Sequence, residues 1–239
     1  MKILDNKAIL LKLRNPKQVT EVIPRSKEVA PNTVAVSWGL DEAKALRNMK
    51  INAPSPIEGR YEWTGKYEPF EHQKKTAGFL TMNRRAFCFN EQGTGKTASA
   101  IWAADYLMKK GKINRVLVIC PLSIMDSAWR ADLFTFAMHR TVDVAHGAKA
   151  KRRKIIEGGA DFVIINYDGV KIVQDVIAEG GFDCIIIDEA THYKNVQTNR
   201  WKTLSKIVKP DTWLWLMTGT PAARTSLNTR FIRDDRKIR

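Results

Sequence analysis

Three stretches of this 239-residue chain hold residue types whose spacing could do chemistry together. The first is Asn90-Glu91-Gln92-Gly93-Thr94-Gly95-Lys96-Thr97, which follows the apolar run at 86–89 and opens the apolar stretch at 98–104. Strand, glycine-rich loop and helix in that order suit a phosphate site: the glycines let the backbone wrap around the anion, which backbone N–H groups and the helix N-terminus then stabilise. Lys96 is placed to reach the β and γ phosphates of a nucleotide, and the Thr97 hydroxyl to bind Mg²⁺. Gln92, Gly93, Thr94 and Gly95 complete the cradle. The full pattern is G-x-x-x-x-G-K-T, and Asn90 stands where its first glycine would be.

The second stretch is Asp188-Glu189, at the end of the apolar run 184–187. An acidic pair closing a strand is common, and it takes its meaning from the phosphate loop upstream. Asp188 would hold Mg²⁺ through water, and Glu189 would orient and deprotonate the attacking water, which makes Lys96, Asp188 and Glu189 the catalytic candidates. The third stretch is 67–73, where Gln73 offers the donor and acceptor needed to read an adenine edge and Phe70 a ring to stack on the base. Read together, these residues imply ATP and Mg²⁺ as ligands.

Residues so far apart in sequence need a scaffold that brings them together. From Tyr67 to Pro221, short continuous apolar runs alternate with longer amphipathic stretches, the pattern of buried parallel strands and their crossover helices. The runs are 86–89, 115–120, 162–166, 184–187 and 213–217. They predict a doubly wound, mainly parallel α/β sheet, with ligands outside the carboxyl ends of the strands, where each motif falls. Residues 1–60 read as a small α+β region with strands at 8–13 and 33–38 and a helix capped by Asp41. An extended connector with Pro54 and Pro56 sets a boundary there. The expected organisation is therefore an N-terminal accessory region (1–60), an ATP-binding lobe (61–221) and a charged tail (222–239).

Composition narrows the class. Hydrophobic residues at 44% and charged residues at 27% suit a folded globular chain rather than a disordered one. No apolar run approaches the roughly 20 residues that span a bilayer, and the polar start does not resemble a secretory signal, so an intracellular protein is expected. Cys88, Cys120 and Cys184 sit singly in apolar runs, as buried thiols do. Forty Lys and Arg against twenty-five Asp and Glu give a formal charge of +15. Such an excess draws polyanions, with nucleic acid the natural candidate and solubility the plainer explanation.

At this point the chain resembles the superfamily-two ATPases, and within them the Snf/Swi remodelling and annealing-helicase branch. Residues 91–97 resemble that family's motif I. Pro121-Leu122-Ser123 with Trp129 is similar to its motif Ia, Asp188-Glu189-Ala190-Thr191-His192-Tyr193-Lys194-Asn195 to its acidic motif, and Thr218-Gly219-Thr220-Pro221 to its motif III. Thr191 stands where the family has histidine, which shifts His192 by one and leaves it as a surface histidine. The resemblance implies a RecA-like lobe of a DNA-dependent ATPase acting as translocase or helicase. Pro121, Ser123, Asn166 and Tyr167 would grip strand phosphates, and Thr218 and Thr220 would couple nucleotide state to DNA without reading sequence. Asn166 and Tyr167 serve equally well as strand-end caps. Residues 1–60 loosely resemble the leader of phage-encoded and annealing-helicase relatives, with host cytoplasm as the corresponding location.

Outside these motifs, the basic run 149–154 reads as a solvated face, with an extension of the DNA path as the alternative, and Trp201, Trp213 and Trp215 read as packing residues. Motors of this family hydrolyse ATP between two lobes, the second supplying arginines worth about 10³–10⁵ in rate. No second phosphate-loop sheet follows Pro221, so the chain is expected to bind ATP but to turn it over slowly without a second lobe in trans. A non-hydrolysing nucleic-acid-binding module and a P-loop phosphotransferase are the alternatives; the latter leaves the Pro-Leu-Ser and Thr-Gly-Thr-Pro elements unexplained.

Overall fold

Five apolar runs and one short edge strand assemble into a six-stranded parallel sheet in the computed structural model, which describes residues 1–193 and 199–219. Four strands precede it: β1 (Lys2–Leu4), β2 (Ala8–Lys12), β3 (Ser26–Ala30) and β4 (Thr33–Ser37), forming an antiparallel sheet in the order β1-β2-β4-β3. The parallel sheet contains β5 (Arg85–Cys88), β6 (Val116–Cys120), β7 (Val142–Val144), β8 (Phe162–Asn166), β9 (Cys184–Ile187) and β10 (Trp213–Met217). Its order is β5-β10-β9-β6-β8-β7, so β6, the strand that follows the phosphate loop in the chain, lies three places from β5, and β10 lies between the two site-bearing strands. Helices cover both faces, giving the doubly wound α/β fold expected from the alternating pattern, with an α+β region before it.

Strand alternation divides the core. Val116, Val118, Ile164, Ile186 and Trp215 point to one face, where they pack with Leu80, Ile101 and Trp102 of the helices Glu71–Met82 and Lys96–Lys109. Leu117, Ile119, Ile165, Ile185 and Leu216 point to the other, against Ile156, Val170, Trp201 and Leu204. Each such side chain taken fully out of water contributes about 1.5–3 kcal/mol. Burial on both sides explains why these strands are apolar at every position rather than at alternate ones.

The antiparallel sheet packs on the first face: Ile9, Leu11, Val34, Val36 and Trp38 are continuous with that core. Trp38 donates from Nε1 to the Pro54 carbonyl at 2.9 Å, and Arg60 donates to the Trp38 carbonyl at 2.7 Å. Residues 51–55 of the connector form neither helix nor strand, Ala53 and Ser55 are buried there, and the Ser55 and Thr81 hydroxyls lie 2.7 Å apart.

Some local expectations fail for physical reasons. The helix Leu40–Asn48 is capped by Gly39, not by Asp41; buried Leu40 is its first residue, so the cap falls two residues earlier, and Asp41 sits in the first turn beside Lys112 at 3.0 Å. Strands β1, β3 and β7 are absent from the sequence reading. β1 and β7 have three residues each, and β3 is almost wholly exposed, so none shows the hydrophobic alternation that marks a half-buried strand.

Candidate nucleotide site

The phosphate loop takes the shape its glycines allow. Gly93 and Gly95 both have φ of 76°, the left-handed region that costs other residues about 1–2 kcal/mol, and Gly95 caps the helix Lys96–Lys109. Four residues fix the loop from within or beside it. Thr94 donates from its hydroxyl to the Glu91 carbonyl at 2.8 Å, and Asn90 donates to Thr76 Oγ1 at 2.8 Å. Gln73 and His72 both donate to the Thr94 carbonyl, at 3.3 and 3.1 Å. Asn90, at the position of the missing glycine, is therefore a tether to the preceding helix. Lys96 Nζ donates to the carbonyls of Asn90 and Glu91, 2.9 Å from each, which holds the ammonium over the loop.

Facing the loop is the acidic turn after β9. Asp188 is buried at 8% exposure, and its two oxygens have separate donors: Trp129 Nε1 reaches Oδ2 at 2.9 Å, and the Glu189 N–H reaches Oδ1 at 3.0 Å. Burial pushes the Asp188 carboxyl above the usual range; these two donors and the Lys96 charge pull it back in part. Glu189 has φ of 49°, at a cost of about 1–2 kcal/mol that glycine would avoid. The Tyr167 hydroxyl donates to the Asp188 carbonyl and lies 3.5 Å from the Glu189 carbonyl.

Between them is a cleft of about 390 Å³ lined by Gln73, Gln92, Gly93, Gly95, Lys96, Thr97, Asp188 and Glu189, with Asp132 and Phe136 on the far wall. The fold thus brings together eight of the residues singled out for nucleotide and metal. Thr97 and Asp188 offer the hard oxygen donors that Mg²⁺ prefers, so the residues present fit the ion. Phe70 stands apart: it is 68% exposed and stacks on His72 with centroids 5.7 Å apart. Gln73 already accepts from the Phe70 N–H at 2.9 Å, which leaves its amide only part of the capacity for an adenine edge.

The residues assigned to DNA have varied surroundings. Ser123 is exposed in the 3₁₀ turn Leu122–Ile124, directly after Pro121. Asn166 accepts from Arg152, and Tyr167 is buried with its hydroxyl on the acidic turn. Thr218 is buried at the end of β10, its N–H bonded to the Cys88 carbonyl at 3.1 Å. A Cβ on neighbouring Gly219 would come within 2.7 Å of Gln92, so this segment lies directly against the phosphate loop. Thr220 and Pro221, Lys194, Asn195 and the tail from Ala222 lie outside the described residues, as does the side chain of His192.

Two contributors escaped the sequence reading. Asp132 sits on Ala131–Phe136, and burial raises its carboxyl above the usual range. Its spacing from Trp129, three residues on one helical face, is the only signal that could have pointed to it. Arg152, in the basic run read as solvated, is 6% exposed and donates to the carbonyls of Gly147 and Ala145 as well as to Asn166. Trp201, Trp213 and Trp215 are buried, in keeping with packing roles, and Cys88, Cys120 and Cys184 are buried free thiols.

Comparison with known proteins points one way. A family model described as the SNF2-related domain matches residues 72–229. The uncharacterized ATP-dependent helicase YqhH of Bacillus subtilis is 26% identical over 159 residues, covering 65% of this chain and 27% of that protein. The ISWI chromatin-remodeling complex ATPase ISW2 of Saccharomyces cerevisiae is 30% identical over 158 residues, 63% of this chain and 13% of that one. Among solved structures, the Sulfolobus solfataricus SWI2/SNF2 ATPase core in complex with dsDNA superposes with a TM-score of 0.59 at 26% identity, over 66% of this chain and 33% of that one. The chain thus spans a third or less of the length of each of these relatives.

Proposed function

The chain belongs to the SNF2-related domain family, and from that premise we propose that it is the ATP-binding lobe of a DNA-dependent ATPase that hydrolyses ATP to ADP and phosphate to move along or remodel DNA. The observation that carries this reading is the convergence of Lys96, Thr97, Asp188 and Glu189 on one cleft at the carboxyl ends of β5 and β9.

The phosphates of ATP would lie on the N–H groups of 93–97, with Lys96 exchanging its two carbonyl partners for β and γ oxygens. Thr97 and Asp188 would hold Mg²⁺, which when bound neutralises charge on the phosphates. Glu189 takes the proton of the attacking water as its oxygen bonds to the γ phosphorus and the bond to the bridging oxygen breaks, ADP leaving with that electron pair. Gly219 against Gln92 gives movement at the phosphate loop a short path to the end of β10. Full turnover needs a second lobe with arginines for the transferring phosphoryl group. DNA as partner is supported by the charge of +15 and by the duplex bound to the archaeal relative. No helix of the described residues is long and apolar enough to cross a membrane. Action on DNA would place the protein in the cell interior, or in the host cytoplasm if the chain is phage-encoded.

The test is ATP hydrolysis with and without single- and double-stranded DNA, beside Lys96→Ala and Glu189→Gln. Slow hydrolysis, raised by DNA and lost in both variants, is expected. DNA binding that falls steeply with salt but ignores nucleotide would favour a binding module instead. Turnover of many per second by the chain alone would refute the need for a second lobe.

A further inference from the structure

We propose that Trp129 and Tyr167 are positioning residues for hydrolysis: two aromatic donors, reaching from the segments after β6 and β8, that hold the Asp188-Glu189 peptide and so the direction of the Glu189 carboxylate. The inference rests on the nucleotide site described above.

The geometry forms a closed set. Trp129 lies in the π-helical turn Met125–Arg130 and has no exposed surface, yet its one polar atom is spent on Asp188 Oδ2. A π-helical turn is a rare departure that recurs at functional sites, and here it ends with the indole under the acidic turn. Oδ1 of the same carboxylate accepts the Glu189 N–H. The carbonyl of that same peptide unit accepts the Tyr167 hydroxyl. The plane between Asp188 and Glu189 is therefore held at its N–H end and its C=O end. The next dihedral is the left-handed φ of Glu189, a conformation that persists in a non-glycine residue only where its surroundings enforce it.

Position in the sheet strengthens the case. β9 and β8 are separated by β6, so Tyr167 reaches past the end of a whole strand to touch the turn. Arg200 covers its ring at 5.4 Å and pairs with Asp168 at 3.0 Å, which keeps the ring in that path. Simple packing would fill the space with apolar groups. Instead two polar tips from separate segments meet Asp188, Tyr167 at its backbone carbonyl and Trp129 at its carboxylate, whose other oxygen takes the Glu189 N–H. Without the Tyr167 hydroxyl the peptide can rotate and Glu189 can relax toward ordinary backbone; without the Trp129 N–H the Asp188 carboxylate loses the donor that sets which lone pairs face the cleft.

The test uses Tyr167→Phe and Trp129→Phe, which keep a ring and remove the donor. Binding of a fluorescent ATP analogue is titrated with Mg²⁺ and again with chelator, single-turnover hydrolysis is timed with DNA present, and thermal unfolding checks the fold. For Tyr167→Phe we expect analogue affinity within about twofold of wild type and a hydrolysis rate lower by roughly 10–100-fold, the scale of a small misplacement. For Trp129→Phe we expect the gain in affinity that Mg²⁺ gives wild type to shrink by about 10–100-fold, in line with loss of a group that orients a metal ligand. Rates and Mg²⁺ gains within twofold of wild type in both variants overturn the positioning roles, as do losses that merely follow the folded fraction. Failure of the wild-type chain to bind the analogue overturns the nucleotide site itself, a result distinct from the first.

Discussion

Glu189, the proposed general base, would bear both the chemistry and the strain of its site. Its left-handed φ has no use for the fold, since glycine would hold the turn more cheaply, but glycine has no carboxylate. Glu189→Gln should therefore keep nucleotide affinity within about twofold while lowering turnover by at least about 10²-fold, the usual reach of a general base. Equilibrium binding set against steady-state hydrolysis checks this; parallel loss of both would mean that the carboxylate holds the nucleotide rather than the water. Gly95 makes the opposite case. Alanine there would carry a left-handed φ and drive its Cβ into the Gln73 side-chain amide. Gly95→Ala should cost about 1–2 kcal/mol of stability, and, by displacing Gln73, weaken nucleotide binding more than that loss explains. Calorimetry and the same titration would separate the two effects. Both residues were singled out from residue type and spacing, because a glycine-lysine-threonine loop after a strand has few other uses. The partners were not: Trp129 and Tyr167 are distant in sequence from Asp188, and hydrogen bonds across strands leave no local pattern.

Among the elements, the helix Lys96–Lys109 has the most to position, since it carries the loop at one end and a buried carboxylate near the other. Asp105 has no exposed side-chain surface and takes bonds from Tyr61 at 2.6 Å, Arg140 at 2.7 Å, His139 at 2.8 Å and Lys109 at 3.0 Å. It thereby ties Tyr61, at the start of the lobe, and the turn after Ala131–Phe136 to the helix that begins at the phosphate loop. Burial alone would raise its carboxyl, but the hydrogen bonds from these four residues outweigh it and hold the value at about 2. The folded value lies below the unfolded one of 3.8, so the contribution is complete above about pH 4 and is lost as pH falls toward 2. Asp105→Asn should cost about 2 kcal/mol at neutral pH, the free energy that separates a carboxyl held at about 2 from one at 3.8. It should also flatten the acid limb of the stability curve; a variant that loses stability equally at pH 3 and pH 7 would contradict this. Nothing in the sequence singled out Asp105. An aspartate inside an amphipathic helix reads as solvated until the fold shows which face is covered.

At the scale of the whole molecule, one core runs from the antiparallel sheet into the parallel one, through Trp38, Leu46, Leu80 and Trp102. The N-terminal strands and the ATP-binding lobe should therefore unfold together, in a single calorimetric transition. Trp38→Ala, which empties a site 2% exposed and removes the bond to Pro54, should lower stability by about 3–5 kcal/mol across that one transition. Two separable transitions, only the first moved by the substitution, would show that the regions are independent. What the sequence determined by itself was the fold class and the family, since doubly buried strands must be apolar throughout and a phosphate loop must have its glycines, lysine and hydroxyl in a fixed local order. The tertiary structure alone decided the strand order that sets β10 between the two halves of the site, the reach of Tyr167 past β6, and the burial of Arg152 inside a run of exposed lysines. Local motifs are written in consecutive residues, where steric and hydrogen-bonding rules act within a few positions. Strand order and cross-strand contacts come from burying many such segments at once, and that cooperative choice has no signature in any one of them.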